Sequence, residues 1–362
     1  MNTDSRVKNI SREGRYALLF GGKGYEREVS ISGARVFLKE AERLEVDFLP
    51  VFIDAHGDFY VFLGSSDDVL KINRKSQRSR LVQIYPIRQN GISGFLIDGE
   101  LVPIKLVFPL LHGDFGEDGV IQGLLSALDF DFVGADNFTG AVAADKLYSK
   151  LIARSVGVPT LPEVVISADT DLKAALEKID NNFGFPTFVK PARLGSSIGA
   201  SIAKSKQEFA KSLKNALSVS QRVIAEPAIL KKRELECAYY SVGNRKIITP
   251  PAEVSVDTGF YDFRLKYKRA NDVRLIPEAD VTNEVKEKII SYTDTLAEAF
   301  SVRHIARFDY FLLPDGQVYF NEVNTMPGMT ETSLYSAMLS RAGLGFSDFI
   351  LSFFENRFDR RF

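Results

Sequence analysis

The chain has 362 residues, 45% of them apolar, so it is long enough to bury the cores of two or three domains. Its 46 basic residues nearly balance its 47 acidic residues, which argues against nucleic acid or a membrane surface as a partner and favours small molecules. A single cysteine, Cys237, excludes an internal disulfide, and with only three histidines it excludes a closed zinc site. We expect residues 1–14 to form a flexible extension, and the absence of any apolar run of about 18 residues favours a cytoplasmic protein.

An α/β domain is predicted for residues 15–140. Apolar strands and amphipathic helices alternate here, which is typical of a parallel sheet with helices on its faces. A charged stretch over 64–90 is expected to interrupt this layer as irregular structure. The predicted elements are strands over 15–21, 46–53, 105–111 and 129–134, and helices over 30–43, 119–128 and 145–156.

Two further domains are predicted, a central α+β domain over 141–228 and a C-terminal domain over 229–362. Gly157 and the prolines within 159–162 punctuate the chain near the start of the central domain. The long loop between 256 and 276 indicates a functional or disordered segment. The predicted elements are strands over 185–190, 197–203, 234–242 and 246–256, a helix over 283–300, a hairpin over 305–324 and two closing helices.

The hairpin is the most informative segment. Asp315 and Gly316 form a strong signal for a two-residue turn between two alternating apolar runs. Counting back from that turn places Asp309 opposite Glu322, and Arg307 opposite Asn324. All four side chains then share one face of the hairpin.

Two carboxylates and an amide oxygen on one face suit Mg²⁺, and an arginine beside them suits phosphate or carboxylate. A solvated polar face is the alternative. Repulsion between adjacent carboxylates argues against it unless a cation lies between them, and the run 324–329, Asn-Thr-Met-Pro-Gly-Met, follows at once. An error of one residue in the loop would pair Asp309 with Asn321 instead.

A Gly/Ser turn follows a lysine at the end of a predicted strand. Lys190 ends the strand, and the turn over 195–199 reads Gly-Ser-Ser-Ile-Gly. Backbone N–H groups in such a turn can face phosphate oxygens, and the lysine supplies positive charge. The turn lacks the Gly-Lys-Ser/Thr of a Walker A loop, and an ordinary hairpin turn is the alternative.

Polar residues also follow two strands of the first domain. Glu26 and Glu28 come after the first strand, and His112 begins a polar run to Gly119 after a later one. Loops at the carboxyl ends of parallel strands overlie ligand crevices. Capping of a helix, and for His112 a structural hydrogen bond, are the alternatives.

These motifs together resemble the D-alanine–D-alanine ligases of the ATP-grasp superfamily, over nearly the whole chain from Tyr16 onward. Several motifs that agree in order carry more weight than any one of them. The matching segments are Phe20-Gly21-Gly22, Glu26-Arg27-Glu28-Val29-Ser30, Leu111-His112-Gly113, Gly116-Glu117-Asp118-Gly119, Asp145-Lys146, Lys190-Pro191, Gly195-Ser196-Ser197, Phe260-Tyr261-Asp262, Lys266-Tyr267, Asn321-Glu322-Val323-Asn324 and Pro327-Gly328-Met329-Thr330.

The resemblance implies a three-domain ATP-grasp fold and the ATP-dependent joining of two D-alanines for peptidoglycan precursors. The first D-alanine carboxylate would attack the γ-phosphate of ATP, and the second D-alanine amine would attack the resulting acyl phosphate. It also implies two Mg²⁺ (or Mn²⁺) ions and a homodimer. The expected metal ligands are Asp309, Glu322 and Asn324.

The same resemblance implies a set of nucleotide residues. They are Lys146 and Lys190 at the ATP phosphates, Lys266 at the transferred phosphoryl group, Glu226 at the hinge and Glu234 at the ribose. An additional residue within 230–233 makes the alignment of Glu234 less direct.

The implied substrate residues come from all three domains. Glu26 would pair with the first D-alanine ammonium, held through Ser196 and Tyr267. His112 and Glu117 are expected beside that substrate. Arg307 and the N–H of Gly328 would form the oxyanion hole, and Ser333, with Arg307, would bind the second D-alanine carboxylate. Leu334 would contact the second methyl group.

Two rival functions stay open at this point. A related ligase could use D-serine or D-lactate as its second substrate, although Lys266-Tyr267 favours an amine nucleophile. A nucleotide-binding regulatory protein that has lost catalysis need not keep Glu26, Ser196, Tyr267 and Arg307, and all four are present. Leu194, Phe263 and the small hinge at 227–229 depart from the usual family pattern without removing a group that the chemistry needs.

Overall fold

The computed structural model describes residues 15–73, 75–256, 273–330 and 333–355. In these ranges the chain forms three β-sheets with helices packed on them, which confirms the predicted mixture of α/β and α+β structure. The predicted extension over 1–14 lies outside the described residues. None of the helices in these ranges is long and apolar enough to cross a lipid bilayer.

The first sheet is a closed barrel of six strands. Its first, second and sixth strands run parallel, as the sequence predicts, and the other three complete the barrel in antiparallel fashion. The elements are β1 (Arg15–Gly21), α1 (Arg27–Arg43), β2 (Phe48–Ile53), β3 (Phe59–Phe62), β4 (Leu81–Gln89), β5 (Ile92–Ile97), β6 (Glu100–Pro109), α2 (Val120–Ala127) and α3 (Asn137–Ala144).

Two predictions for this part of the chain are wrong. The stretch 64–90 is not irregular, because two 3₁₀ helices, Ser66–Lys71 and Lys75–Arg80, lead into β4. Only Ile84 of β4 is fully buried, so the apolar alternation that reveals a strand is hidden. The strand predicted over 129–134 is a single bridge between Phe132 and Val107.

The second sheet has four antiparallel strands in the order β7-β10-β8-β9. Two helices cover it, and an apolar core that includes Ile179, Val189 and Phe209 fills the space between. The strand predicted over 197–203 begins only at Ser201, because the preceding residues form the Gly/Ser turn. The elements are α4 (Lys146–Ser155), β7 (Val164–Ser167), α5 (Leu172–Asn182), β8 (Thr187–Pro191), β9 (Ser201–Ala203), α6 (Lys206–Leu217) and β10 (Arg222–Pro227).

The third sheet has the order β14-β13-β11-β15-β16, with β12 paired to β11. The strand predicted over 246–256 is two strands, because Pro250 and Pro251 lack the N–H groups that a continuous ladder needs. The elements are β11 (Arg233–Val242), β12 (Arg245–Ile248), β13 (Ala252–Val256), β14 (Val273–Ile276), α7 (Asn283–Ala299), β15 (His304–Leu312), β16 (Val318–Asn324), α8 (Leu334–Arg341) and α9 (Phe346–Glu355).

The hairpin of β15 and β16 has the predicted register around the polar residues but reaches it differently. Asp309 lies opposite Glu322, and Arg307 lies opposite Asn324, as predicted. The turn itself has three residues, since Leu313 N–H donates to the carbonyl of Gln317 at 2.9 Å. Asn321 is an additional residue on β16 that shifts the pairing back by one.

The closing helices attach the third sheet to the barrel. Phe353 of α9 packs against Phe108 of β6, with ring centroids 5.6 Å apart, and against Tyr240 of β11, at 6.4 Å. One continuous apolar core therefore spans both sheets. This packing fixes the loops of the barrel relative to the polar face of the hairpin.

Candidate active site

Two cavities adjoin one another where the three sheets meet. The inter-sheet cavity, of about 590 Å³, lies between the second and third sheets. The central cavity, of about 660 Å³, lies between the barrel loops and the third sheet. Among the described residues, the lining shared by both cavities is Lys146, Gly195, Ser196, Glu236, Val254 and Glu322.

Lys146 lies at the junction of the two cavities. It is the first residue of α4, and the carboxylate of Asp145 caps that helix by accepting the N–H of Leu147 at 3.1 Å. The Lys146 ammonium donates to the carbonyl of Leu194 at 2.9 Å and lies 3.2 Å from Glu322 Oε2. The predicted phosphate lysine thus connects the Gly/Ser turn with the polar face of the hairpin.

Lys190, at the end of β8, faces the inter-sheet cavity from the opposite wall. Its ammonium lies 2.7 Å from Glu226 Oε2 and donates to Asn321 Oδ1 at 3.3 Å. Burial lowers the pKa of Lys190 well below its ordinary value, and the nearby charge of Lys150 lowers it further. The predicted nucleotide residues Lys190 and Glu226 are therefore brought together as an ion pair.

Glu234 lies at the start of β11 and lines the same cavity. Its carboxylate accepts a hydrogen bond from Lys232. The Lys232 ammonium also lies 4.1 Å from the centre of the Phe311 ring, a cation–π distance. A lysine thus lies beside the predicted ribose residue.

A row of three carboxylates crosses the third sheet. Glu236 on β11 lies opposite Asp309 on β15, which lies opposite Glu322 on β16. Arg307 donates two hydrogen bonds of 2.7 Å to Asp309, and its Nε lies 3.3 Å from Glu236. Burial alone would lower the pKa of Arg307, but the charges of Asp309 and Glu236 outweigh it and raise that pKa well above its ordinary value.

The donor set on this face fits a hard divalent cation. Asp309 and Glu322 have side-chain exposures of 14% and 22%, and both line the inter-sheet cavity. Asn324 adds an amide group, whose nitrogen donates to Asp309 at 3.1 Å. In the described ranges, no three His, Cys, Asp or Glu side chains are arranged as a metal site. The set thus consists of two carboxylates and one amide, as predicted.

Glu26 reaches across the central cavity to the Gly/Ser turn. It precedes α1 but makes no capping bond with its side chain, so helix capping does not explain it. Instead its carboxylate accepts a hydrogen bond from the hydroxyl of Ser196. A Cβ atom built on Gly113 would lie 2.3 Å from Glu26 Oε2, and one on Gly195 would lie 3.1 Å from it. The two glycines thus make room for this carboxylate.

Ser196 occupies a strained part of the turn. Its φ is +50°, and that of Ser197 is +57°. Both values lie in the left-handed region, which residues other than glycine rarely adopt. Such strain persists only where the surroundings hold the backbone in place, and it is concentrated at functional sites. The predicted contact between Ser196 and Glu26 is confirmed.

His112 and Glu117 both bind the backbone of Met326. His112 Nδ1 donates to the Met326 carbonyl at 2.9 Å, while Glu117 Oε1 accepts the Met326 N–H at 2.9 Å. Glu117 Oε2 accepts the Gly113 N–H, also at 2.9 Å. The polar groups of Glu117 are thus directed at backbone N–H groups. These bonds join a barrel loop to the segment that contains Gly328.

The second ring nitrogen of His112 is available to a ligand. Nε2 is buried, has no hydrogen-bond partner in the described part of the chain, and belongs to a residue that lines the central cavity. Burial lowers the pKa of His112, which keeps the ring neutral. Because Nδ1 carries the proton, Nε2 is a hydrogen-bond acceptor.

The far wall of the central cavity is the loop before α8. The Ser333 hydroxyl donates to the Gly328 carbonyl, and Leu334 is the first residue of α8. Gly328, Ser333 and Leu334 all line the cavity together with Arg307. Lys266 and Tyr267, the remaining predicted site residues, lie outside the described residues, as does Phe263.

The residues near these cavities that the sequence does not predict as site residues include Glu236, Asn321 and Lys150. Glu236 could have been found, because strand alternation places it on the same face as Glu234. Asn321 points into the inter-sheet cavity because of the bulge, which no sequence signal marks. Lys150 lies one helical turn after Lys146 and contacts Glu226, a contact that depends on tertiary packing.

Solved structures of similar fold include a D-Ala:D-Ser ligase, VanG, from Enterococcus faecalis. It has a TM-score of 0.85, 28% identity, and coverage of 94% of this chain and 98% of that chain. D-alanyl-alanine synthetase A from Vibrio cholerae has a TM-score of 0.80 and 28% identity, covering 94% of this chain and 97% of that chain. The protein therefore has the ATP-grasp fold predicted from its motifs.

Sequence comparisons identify the family. A family model described as D-ala D-ala ligase N-terminus matches residues 15–135, and one described as D-ala D-ala ligase C-terminus matches 152–355. D-alanine–D-alanine ligase from Streptococcus pyogenes serotype M49 is 33% identical over 353 residues, covering 95% of this chain and 97% of that protein. The chain belongs to the D-alanine–D-alanine ligase family, as the sequence motifs predict.

Proposed function

We propose that the protein joins two D-alanines into D-alanyl-D-alanine at the expense of ATP, as a cytoplasmic step in the synthesis of peptidoglycan precursors. The observation that carries the proposal is the junction of the two cavities at Lys146, Ser196 and Glu322. One cavity is lined by paired lysines and glutamates that suit a nucleotide. The other is lined by Glu26 and Arg307, which suit the ammonium and carboxylate groups of amino acids.

ATP would occupy the inter-sheet cavity, with its phosphates toward the junction. Lys146 and Lys190 would bind the phosphates, Glu226 would lie at the hinge, and Glu234 would accept the ribose hydroxyls. The ion pairs that these residues form in the structure keep each buried charge compensated before the nucleotide arrives. Lys266 completes the set as a proposed contact of the transferred phosphoryl group.

Asp309, Glu322 and Asn324 would hold Mg²⁺ or Mn²⁺, two ions being expected. Bound there, the ions would neutralise charge on the phosphates during transfer. Arg307 now pairs with Asp309, and the nearby Glu236 carboxylate offers this guanidinium a second partner. Arg307 can therefore turn toward substrate without losing all compensation of its charge.

The amino acids would bind in the central cavity. Glu26, fixed by Ser196 and with Tyr267 nearby, would pair with the ammonium of the first D-alanine. A carboxylate oxygen of this first D-alanine would attack the γ-phosphorus of ATP and release ADP. The amine of the second D-alanine, having lost a proton, would then attack the carbonyl carbon of the acyl phosphate and release inorganic phosphate.

The tetrahedral intermediate that forms when the amine attacks, before phosphate leaves, carries an oxyanion. Arg307 and the N–H of Gly328 would stabilise it, because both residues line the central cavity. Ser333 and Arg307 would bind the second D-alanine carboxylate, and Leu334 would contact its methyl group. His112 and Glu117 would keep the Gly328 segment in place through Met326.

A related ligase that uses D-serine second is an alternative candidate, supported by the similarity to the Enterococcus faecalis D-Ala:D-Ser ligase. The test is ATP-dependent phosphate release with D-alanine as first substrate and D-alanine, D-serine or D-lactate as second, measured across pH. Preference for D-alanine supports the proposal. Faster release with D-serine or D-lactate would favour the alternative, and ATP consumption with none of them would refute both. We expect a homodimer, which sedimentation would test.

A further inference from the structure

A group of four buried charges lies at the back of the inter-sheet cavity. Its members are Lys150, Glu163, Lys190 and Glu226, with side-chain exposures of 1%, 7%, 7% and 2%. Two positive and two negative charges balance. Such a group is costly to bury unless every member is paired, so its arrangement requires an explanation.

Lys150 contacts two residues that line the nucleotide site, Leu161 and Glu226, and of these only Glu226 is charged. Its ammonium forms an ion pair with Glu226 Oε1, donates to the Leu161 carbonyl at 3.2 Å and lies 3.9 Å from Glu163. Lys190 and Glu226 line the cavity, whereas Lys150 is not among its described lining residues. Lys150 therefore lies behind the carboxylate, on the side away from a nucleotide.

The two lysines share one carboxylate. Lys150 is paired with Glu226 Oε1, while Lys190 lies 2.7 Å from Glu226 Oε2. Two ammonium groups on one buried carboxylate repel each other. Burial lowers the pKa of both, that of Lys150 to about 7 and that of Lys190, with help from the Lys150 charge, well below its ordinary value. One lysine can therefore leave while the carboxylate keeps a cation, and only Lys190 faces the cavity.

We propose that Lys150 is a positioning residue of the nucleotide site, which neutralises Glu226 from behind so that Lys190 can turn to the phosphates of ATP. Without Lys150, Glu226 would retain Lys190 as its partner. This inference rests on the proposed function, since it takes ATP as the ligand of the cavity.

The test compares nucleotide binding by wild type and Lys150→Met, using calorimetry with ATP, with ADP and with adenosine. The dissociation constant for ATP should rise at least about tenfold, the scale of one lost charged hydrogen bond. The constant for adenosine, which has no phosphates, should rise much less. The matched control is Arg154→Met, one helical turn further along α4, which removes a cation that pairs with Glu163 and leaves Glu226 untouched. It should bind ATP like wild type.

A second comparison separates this role from a purely structural one. In a Glu226→Gln background, adding Lys150→Met should leave ATP affinity unchanged within about twofold, because the carboxylate through which Lys150 acts is gone. The comparison of Glu226→Gln with the double variant tests the inference even if the single variant Lys150→Met does not fold. The double variant removes one positive and one negative charge, so the buried group stays neutral.

Three results would overturn the inference: unchanged ATP affinity in folded Lys150→Met, equal losses for ATP and adenosine, or a full effect of Lys150→Met in the Glu226→Gln background. If ATP is not the ligand of this cavity, the result is different, because wild type itself would then bind no ATP.

Discussion

Glu117 of the barrel and Met326 of the third sheet's loop are joined by a hydrogen bond of 2.9 Å, although 209 residues separate them in the chain. His112 binds the carbonyl of the same Met326, so both backbone groups of one residue are held by the barrel. The proposed oxyanion donor Gly328 follows two residues later. The position of that donor thus depends on side chains from a distant segment of the chain.

Replacing Glu117 by alanine is expected to raise the KM for D-alanine and to lower the melting temperature. Two N–H groups, those of Gly113 and Met326, would lose their acceptor, and each buried unsatisfied donor costs about 1 to 3 kcal/mol. Steady-state kinetics and thermal unfolding measure the two effects. The ATP dissociation constant serves as the control and should stay near the wild-type value. Unchanged KM and melting temperature would show that this link is dispensable.

Stability should also depend on pH through Glu117. Burial, with help from the charge of Glu26, raises the pKa of Glu117 to about 7, whereas 4.5 is its ordinary value. The folded state therefore binds a proton on Glu117 more tightly than the unfolded state does. The contribution of this proton to the stability of the folded state is fully present below about pH 4.5 and is lost as the pH rises through about 7. The melting temperature of wild type minus that of Glu117→Gln should fall between about pH 4.5 and pH 7. A difference that rises over this window would contradict the assignment.

Gly113→Ala should impair binding of the first D-alanine. Its Cβ would lie 2.3 Å from Glu26 Oε2, so the carboxylate would have to move away from Ser196. The expected result is a raised KM for the first D-alanine with little change in ATP affinity. Gly184→Ala is a matched control, because Gly184 has a similar φ, +69° against +62°, but nothing lies within 4 Å of its added Cβ. Both carry the same backbone strain of about 1 kcal/mol, so equal kinetic effects would remove the steric explanation.

Glu322→Gln should abolish ATP-dependent dipeptide formation while the protein stays folded. The change keeps the shape of the side chain but removes the charge that pairs with Lys146 and that would bind a divalent cation. Product analysis and circular dichroism measure the two outcomes. Glu298→Gln, at an exposed carboxylate on α7, is the control and should be fully active. A fully active Glu322→Gln would exclude Glu322 from the metal site.

The hairpin shows how far the sequence predicts this site. Asp309 and Glu322 were correctly placed opposite each other, although the turn is one residue longer than predicted. The bulge at Asn321 compensates for the longer turn. Asp-Gly favours a two-residue loop but also fits a three-residue loop that ends in a left-handed glycine, as Gly316 does with a φ of +83°. A bulge depends on the neighbouring strands and not on local sequence. The length of the turn and the bulge at Asn321 could therefore be determined only from the structure.

The contacts between distant segments were the least predictable part. The motifs predict that Glu26, His112 and Ser196 belong to one site, and the structure confirms the bond between Glu26 and Ser196. The ion pair between Lys150 and Glu226 could not be predicted, because a lysine side chain on a helix normally extends to solvent. Its burial follows from the tertiary packing that brings Lys150 of α4 to Glu226 of β10, which no local pattern encodes.

The acyl-phosphate route is tested most directly by following ¹⁸O, from D-alanine labelled at both carboxylate oxygens, through the reaction with ATP and Mg²⁺. If the carboxylate attacks the γ-phosphorus, each phosphate released must carry one labelled oxygen, and D-alanyl-D-alanine, ADP and phosphate must form in equal amounts. Unlabelled phosphate, or AMP with pyrophosphate in place of ADP with phosphate, would contradict the acyl-phosphate route.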